Sequence, residues 1–249
     1  MSSALKAFLN AKEIARQVSG KTIIKSSCDR RNVFEHYDDF CLELPKNVVG
    51  VGCHGRFIFI LLDGGDSCLW LEDGSSSTFN SSPRRSSSIV LSLQDDSNVV
   101  YQGEHSKGAI KWFKGRKKIR EKLKSLGANI LSDGFDEKIF AEYLSKKPKA
   151  KIAEALMDES IVCSIGNLEC SEILWRSRIS PHRMVDSFCL EELEVLKDNV
   201  LEFVEESKID VNILQDIKIT KIEKDPLGNK TKLDRFNKKI VWWSPNIQL

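Results

Sequence analysis

The residues best suited to chemistry lie at Ile165-Gly166-Asn167, where an irregular apolar turn runs into a helical pattern that starts at about Leu168. An asparagine at a helix N-terminus stands beside backbone amides that have no partner inside the helix, and the helix dipole there favours negative charge. Such a corner can donate hydrogen bonds to a phosphate oxygen, with the side-chain amide as a further donor. Gly166 would supply the turn, because glycine reaches backbone angles closed to other residues. A plainer role for Asn167 is to cap its own helix, and these residues alone leave both roles open. Lys146, Lys147, Lys149 and Lys151, just upstream, would add nonspecific attraction for phosphate or serve as a solvated basic linker.

Other constellations carry no chemistry. His36, His54, His105 and His182 are far apart and lack metal-ligand spacing, and Gly50-Val51-Gly52 is followed by no phosphate-binding helix. Cys28, Cys41, Cys53, Cys68, Cys163, Cys170 and Cys189 form no C-x-x-C or C-x-x-H pair. They read as reduced thiols, mostly packed as small hydrophobes, with neither a disulfide framework nor structural zinc. No metal and no cofactor is expected.

The elements that must position this corner follow from pattern. With 41% hydrophobic and 30% charged residues in 249, the chain can bury a sizeable core. No stretch approaches the roughly 18 apolar residues of a membrane span, and the start lacks the apolar centre of a secretory signal, so an intracellular protein is expected. The net charge of +2 hides segregation: Lys107 to Lys124 and Lys146 to Lys151 are basic, whereas Glu191 to Glu206 is acidic. From Lys21 to about Trp112, short β-type runs (TIIKSS, FCLEL, NVVGVG, RFIFILL, CLWLED, SIVLSLQ, NVVYQG) are broken by turn residues, which predicts a sandwich or barrel. Gly64-Gly65 suits a tight hairpin, and the polar stretch Gly74 to Ser88 reads as a mobile loop. After Lys117 the pattern becomes helical over 119–126, 135–146, 150–157, 168–177 and 189–206, the last with a core stripe of Leu190, Leu193, Leu196, Val200 and Val204. IKITKI from Ile217 and KKIVWWSP near the end are read as two strands of a small terminal hairpin.

The span from Leu126 to Arg183 resembles the formamidopyrimidine-DNA glycosylase / endonuclease VIII family. The matching pieces are Leu126-Gly127 with Leu131-Ser132-Asp133 and Phe135-Asp136, Leu156-Met157-Asp158, Ile165-Gly166-Asn167, Ser171-Glu172-Ile173-Leu174, and Ile179-Ser180-Pro181-His182-Arg183. Asp225 to Gln248 resembles the zincless finger of some members, a hairpin shaped like the family's zinc finger but without metal. The resemblance implies an α+β fold: an N-terminal β-sandwich with a leading helix over 1–130, a helix-two-turns-helix (H2TH) domain over 131–215, and a zincless-finger hairpin over 216–249. It implies duplex DNA, damaged or abasic, as partner, no membrane, and a monomer. Its DNA contacts would fall on Arg56, Gly166, Asn167, Lys149 and Lys151. The finger arginine that enters the minor groove would fall at Lys239, with Lys238 adjacent. Lysine keeps that charge but loses the planar fork. Trp242 and Trp243 alternate faces on the strand and are read as hairpin core.

The same comparison exposes departures from a working enzyme. It puts Ser2 at the position of the nucleophilic α-amine and Ser3 at that of the proton-shuttling glutamate; Glu13 is read as a solvated helix residue. A serine hydroxyl has no useful pKa near neutrality, so acid/base help worth roughly 100- to 10,000-fold would be lost. Removal of Met1 would still leave Ser2 with a primary amine of pKa about 8 able to form a Schiff base with an opened abasic sugar. The family's strand lysine would become Arg56. The intercalating residue would fall in Leu71-Glu72-Asp73-Gly74, and the arginine-phenylalanine wedge in His105 to Ala109, where neither residue type occurs. The first reading is thus a duplex DNA-binding relative of base-excision-repair enzymes with base excision lost. The alternatives are an abasic-site lyase using the Ser2 amine, with residual glycosylase activity, or a protein-interaction module using the acidic helix. A nucleus or other DNA-containing compartment is expected; Lys114 to Lys124 fits a nuclear signal, a DNA-facing helix or an exposed helix equally.

Overall fold

The computed structural model describes residues 3–28, 34–72, 78–80, 89–102, 109–131, 135, 137–209 and 217–249. Contacts divide the chain into two units, Lys6–Ser125, and Leu126–Leu249 together with Met1–Leu5. Among the described residues no helix is long and apolar enough to cross a membrane.

The first unit is built on strands. Helix α1 (Ser3–Val18) is followed by β1 (Thr22–Ser27), β2 (Phe34–Glu35), α2 (Tyr37–Leu42), β3 (Lys46–His54), β4 (Phe57–Leu62), β5 (Ser67–Glu72), β6 (Thr78–Asn80), β7 (Ile89–Leu93), β8 (Asn98–Gln102), β9 (Ile110–Lys114) and α3 (Arg116–Lys124). The strands hydrogen-bond in one series, β2-β9-β5-β4-β3-β1-β7-β8-β6. That series folds on itself: the Tyr101 hydroxyl of β8 donates to the Glu72 carbonyl of β5 at 2.7 Å, although β5 and β8 are far apart in it. Inward residues of both halves, among them Ile23, Leu91 and Tyr101 on one side and Ile58, Leu69 and Trp112 on the other, share one core. Ala7, Ala11, Ile14 and Val18 of α1 enter the same core as a single helical stripe. Gly64 and Gly65 have φ of 68° and 88°, as the β4–β5 turn requires.

Two readings of the first unit are corrected. FCLEL is no strand: Phe40, Cys41 and Leu42 belong to α2. His36, at φ 63°, ends β2, and Asp38 and Asp39 occupy the first turn of α2, where carboxylates favour a helix. Only Phe40 of that helix is buried, and Leu42 is 84% exposed, so the apolar residues of this run do not line the core as a strand's would. The polar stretch 74–88 is not all loop either, since β6 pairs with β8 from Thr78↔Gln102 to Asn80↔Val100. Backbone pairing needs no apolar side chain. The rest of that stretch lies outside the described residues.

The second unit carries helices, a short parallel strand pair and a terminal hairpin: β10 (Ala128–Asn129), α4 (Glu137–Ser145), α5 (Ile152–Leu156), β11 (Val162–Cys163), α6 (Asn167–Arg176), α7 (Leu190–Ile209), β12 (Lys232–Phe236) and β13 (Lys239–Trp243). The stripe of α7 is Leu196, Val200, Phe203 and Val204, all buried, while Leu190 is 75% exposed and does not belong to it. The N-terminus of α7 is instead fixed by charge. Arg183 clasps Glu192 through two nitrogens at 2.6 and 2.8 Å, and the Cys189 amide donates to the same carboxylate at 3.0 Å. The Arg183 hydrogen bond, then the Cys189 amide, hold the Glu192 carboxyl at about 2, below its usual 4.5. A carboxyl held low contributes stability that is full above its ordinary value and is lost as pH falls towards the lowered one. Glu192→Gln should therefore melt below wild type at pH 7, and the difference should close between about 4.5 and about 2, measured by thermal denaturation across that range.

The hairpin is also not the one expected. Its first strand is β12, and IKITKI is irregular. Ile219 is buried, but the Lys218 amide donates to the Glu172 carboxylate at 2.9 Å and Lys221 has φ 58°, so the segment cannot stay extended. Residues 217–249 contain neither cysteine nor histidine. Polar bonds hold the hairpin in place: Asp234 accepts from Trp243 Nε1 at 2.7 Å and lies 2.9 Å from His182 Nε2, and the His182 ring packs on Phe236 and Trp243 with centroids 4.9 and 5.2 Å apart. Asp225 accepts from Trp175 Nε1 at 3.2 Å. None of the seven cysteines is in a disulfide; Cys68, Cys163 and Cys170 are buried and Cys189 is exposed.

Candidate functional site

The corner at Gly166 and Asn167 is set by the turn from α5 to α6. Asp158 closes that turn: its carbonyl accepts from the Ile161 and Val162 amides, both at 2.8 Å, and its carboxylate from the Ser160 amide at 2.9 Å. Burial would raise the Asp158 carboxyl, but hydrogen bonds from Lys147 and Ser160 hold it low. Strand β11 then pairs in parallel with β10, and the chain turns at Ser164, φ 93°, whose hydroxyl bonds Asn129 Oδ1 at 3.2 Å.

The positive backbone angle thus sits at Ser164. Gly166 is extended, at φ −88° and ψ −172°, which any residue can adopt. A Cβ there would lie 2.7 Å from Oε2 of Glu169, the far end of a flexible side chain, so a larger residue would displace that carboxylate and not the backbone. Gly166 is the N-cap and Asn167 the first helical residue, so Asn167 does not cap the helix with its side chain. It is exposed, and its amide group has no hydrogen-bond partner among the described residues. Ser171 Oγ donates to its carbonyl at 2.7 Å.

The lysine run is engaged within the unit. Lys147 pairs with Asp158 and Lys149 with Asp186; Lys146 lies over the Tyr143 ring at 3.3 Å, and Lys151 over the Phe236 ring at 5.6 Å. The bond of Lys149 is at the surface, where water and salt weaken it.

Strand alternation sorts the hairpin cations. Phe236 and Lys239 face each other in register, on the face that carries Asp234 and the buried Val241. On that face Lys239 Nζ donates to the Met157 carbonyl at 2.6 Å. Lys238 stands at the turn with Asn237, at φ 69° and 46°, both positive as a two-residue hairpin turn requires. Arg235, paired with Ile240, lies on the opposite face and is exposed. Sequence reading missed it. Its residue type was the one signal in the sequence, since Arg235 keeps the planar fork that lysine lacks, but its face follows only from the pairing register. Trp242 donates its backbone amide to Ser171 Oγ at 3.0 Å, joining β13 to α6.

The remaining positions belong elsewhere or lie outside the described residues. Arg56 sits in the first unit at the β3–β4 turn and pairs with Glu72, so that cation and the Glu72 carboxylate offset each other. Ser3 begins α1, Glu13 is exposed and bonded to Gln17 at 2.9 Å, and Ser2, Asp73, Gly74 and His105 to Gly108 are outside the described residues. Among the described residues no group of three or more His, Cys, Asp or Glu could hold a metal ion.

Comparison with known proteins gives a consistent result. The family "Formamidopyrimidine-DNA glycosylase H2TH domain" matches residues 126–215. The formamidopyrimidine-DNA glycosylase of Halalkalibacterium halodurans is 27% identical over 202 residues, 78% of this chain and 73% of the relative. That of a Roseiflexus species is 29% identical over 170 residues, 66% and 61% of the two chains. Among solved structures, the Lactococcus lactis formamidopyrimidine-DNA glycosylase bound to DNA with an abasic site matches with a TM-score of 0.82 at 18% identity, covering 98% of this chain and 99% of that one. MutM in complex with DNA containing carbocyclic 8-oxoguanine matches with a TM-score of 0.81 at 18% identity, covering 99% and 98%.

Proposed function

The chain belongs to the formamidopyrimidine-DNA glycosylase / endonuclease VIII family, and from that premise we propose that it binds duplex DNA, damaged or abasic, with base excision lost. The observation that carries the reading is Asn167: an exposed amide without an internal partner, at the first position of α6, beside first-turn backbone amides that the helix cannot satisfy. A phosphate oxygen is the ligand such a corner suits, because it accepts several donors and carries the charge that the helix N-terminus favours. The hairpin supplies cations. Arg235 and Lys238 are exposed and placed to reach DNA, while Lys239 is braced by the Met157 carbonyl and serves the phosphate side of the contact. Lys149 and Lys151 add attraction that requires their surface contacts to open. Such a protein acts as a monomer in a compartment that holds DNA.

The test is duplex binding by fluorescence anisotropy at fixed salt. Asn167→Ala removes a hydrogen bond to a charged acceptor, worth about 1.5 kcal/mol, and should weaken binding about tenfold. Unchanged affinity in that variant would remove Asn167 from the interface, and absence of binding by the wild type would overturn the reading.

A further inference from the structure

We infer that Glu169 sets how tightly the Gly166-Asn167 corner grips phosphate, keeping its affinity below what the amides and hairpin cations would otherwise give. The inference rests on the DNA-binding reading above. Glu169 is the third residue of α6 and only 4% exposed, an unusual place for a carboxylate. Its Oε2 lies against Gly166, where a Cβ would stand 2.7 Å away, so the glycine makes room for the acid. The side chain therefore turns back towards the helix N-terminus, the end whose dipole and amides favour an anion.

The same neighbourhood holds the hairpin cation. The Cys170 thiol is pushed up by burial and then by the Glu169 charge, and pulled the other way by Lys239, so both charges are felt at one point of α6. A phosphate arriving at Asn167 thus meets a corner whose built-in anion offsets Lys239 and already enjoys the helix dipole. Like charges this near one another, in a half-solvated setting, repel by enough to change affinity about three- to tenfold. Such a device would give a protein without excision chemistry a lighter hold on the backbone, one released readily rather than locked at a site.

The experiment compares wild type, Glu169→Gln, Glu169→Met and Asn167→Ala on a duplex carrying a tetrahydrofuran abasic analogue, from about 50 to about 200 mM salt. Gln and Met keep the length of the side chain and remove its charge, and folding of each is checked by thermal melting. Both Glu169 variants should bind about three- to tenfold tighter at the lower salt, with the gain shrinking at the higher. If Asn167→Ala binds more weakly but the folded Glu169 variants bind no tighter than wild type, the inference about Glu169 fails while the binding reading stands. Wild type that binds nothing overturns both.

Discussion

Given a duplex with a single 8-oxoguanine, the protein is expected to bind it and leave the base in place. Single-turnover release should fall at least about 100-fold below that of a relative with the full catalytic set. The argument starts from residue type. The resemblance puts serine at the position of the glutamate that moves protons, and a hydroxyl neither takes nor gives a proton usefully near neutrality. It also puts Arg56 at the strand lysine, where the structure pairs it with Glu72. Loss of a positioned acid/base group costs roughly 100- to 10,000-fold, whereas the proposed binding contacts, Asn167 and the hairpin cations, are other residues. Binding and excision should therefore separate cleanly. Sodium borohydride distinguishes the competing chemistry: a trapped adduct with abasic DNA would mean that the Ser2 amine forms a Schiff base, and would replace the non-catalytic reading by a lyase. A base released at a relative's rate would show that another group moves the proton.

Why the fold was readable and parts of the site were not is a matter of where information resides. Strands such as β4 and β7 announce themselves as short apolar runs, FIFILL and IVLSL, bounded by turn residues, although only the structure shows the alternate burial along them. Helix α6 is announced by Gly166-Asn167 and by the motif that continues to Glu172. The misreadings have a common cause. FCLEL and IKITKI carry apolar residues at tolerable spacings, but their conformation is decided by partners distant in sequence or by single left-handed residues, His36 and Lys221, that no pattern reports. The same holds for the site. Arg235 and Lys239 look equivalent as charges, and only the pairing register shows that one faces the packed side and the other the open side. Gly166 reads as the residue with special backbone angles, but the structure puts the positive φ at Ser164 and leaves Gly166 extended, with the Glu169 carboxylate against it, which is a tertiary fact.

Gly127 carries the largest expected structural effect. Its substitution by alanine should destabilise the second unit by about 3–5 kcal/mol, from overpacking of about 1–3 and two strained hydrogen bonds of about 1 each. A Cβ at position 127 would stand 2.7 Å from the Ile161 nitrogen and closer still to its carbonyl carbon and oxygen. All three are backbone atoms, so no side chain can swing aside. They are held where they are by the bonds of the same bridge: Gly127 donates to the Glu159 carbonyl at 2.7 Å and Ala128 to that of Ile161 at 3.0 Å. Making room means parting β10 from β11 amid Leu126, Ile161 and Val162, which are all buried. Against a total stability of about 5–15 kcal/mol that is a large fraction, and a melting temperature lower by about 10 °C is expected. Gly50→Ala is the control, since a Cβ there meets nothing within 4 Å and the backbone angle is ordinary. Because β11 leads through Ser164 directly to Asn167, the same displacement reaches the proposed phosphate contact. Gly127→Ala should thus lose duplex affinity as well as heat resistance, whereas Asn167→Ala loses affinity alone. A Gly127→Ala protein that melted well below wild type yet bound DNA equally well would show that the α5–α6 turn does not position the proposed DNA contact.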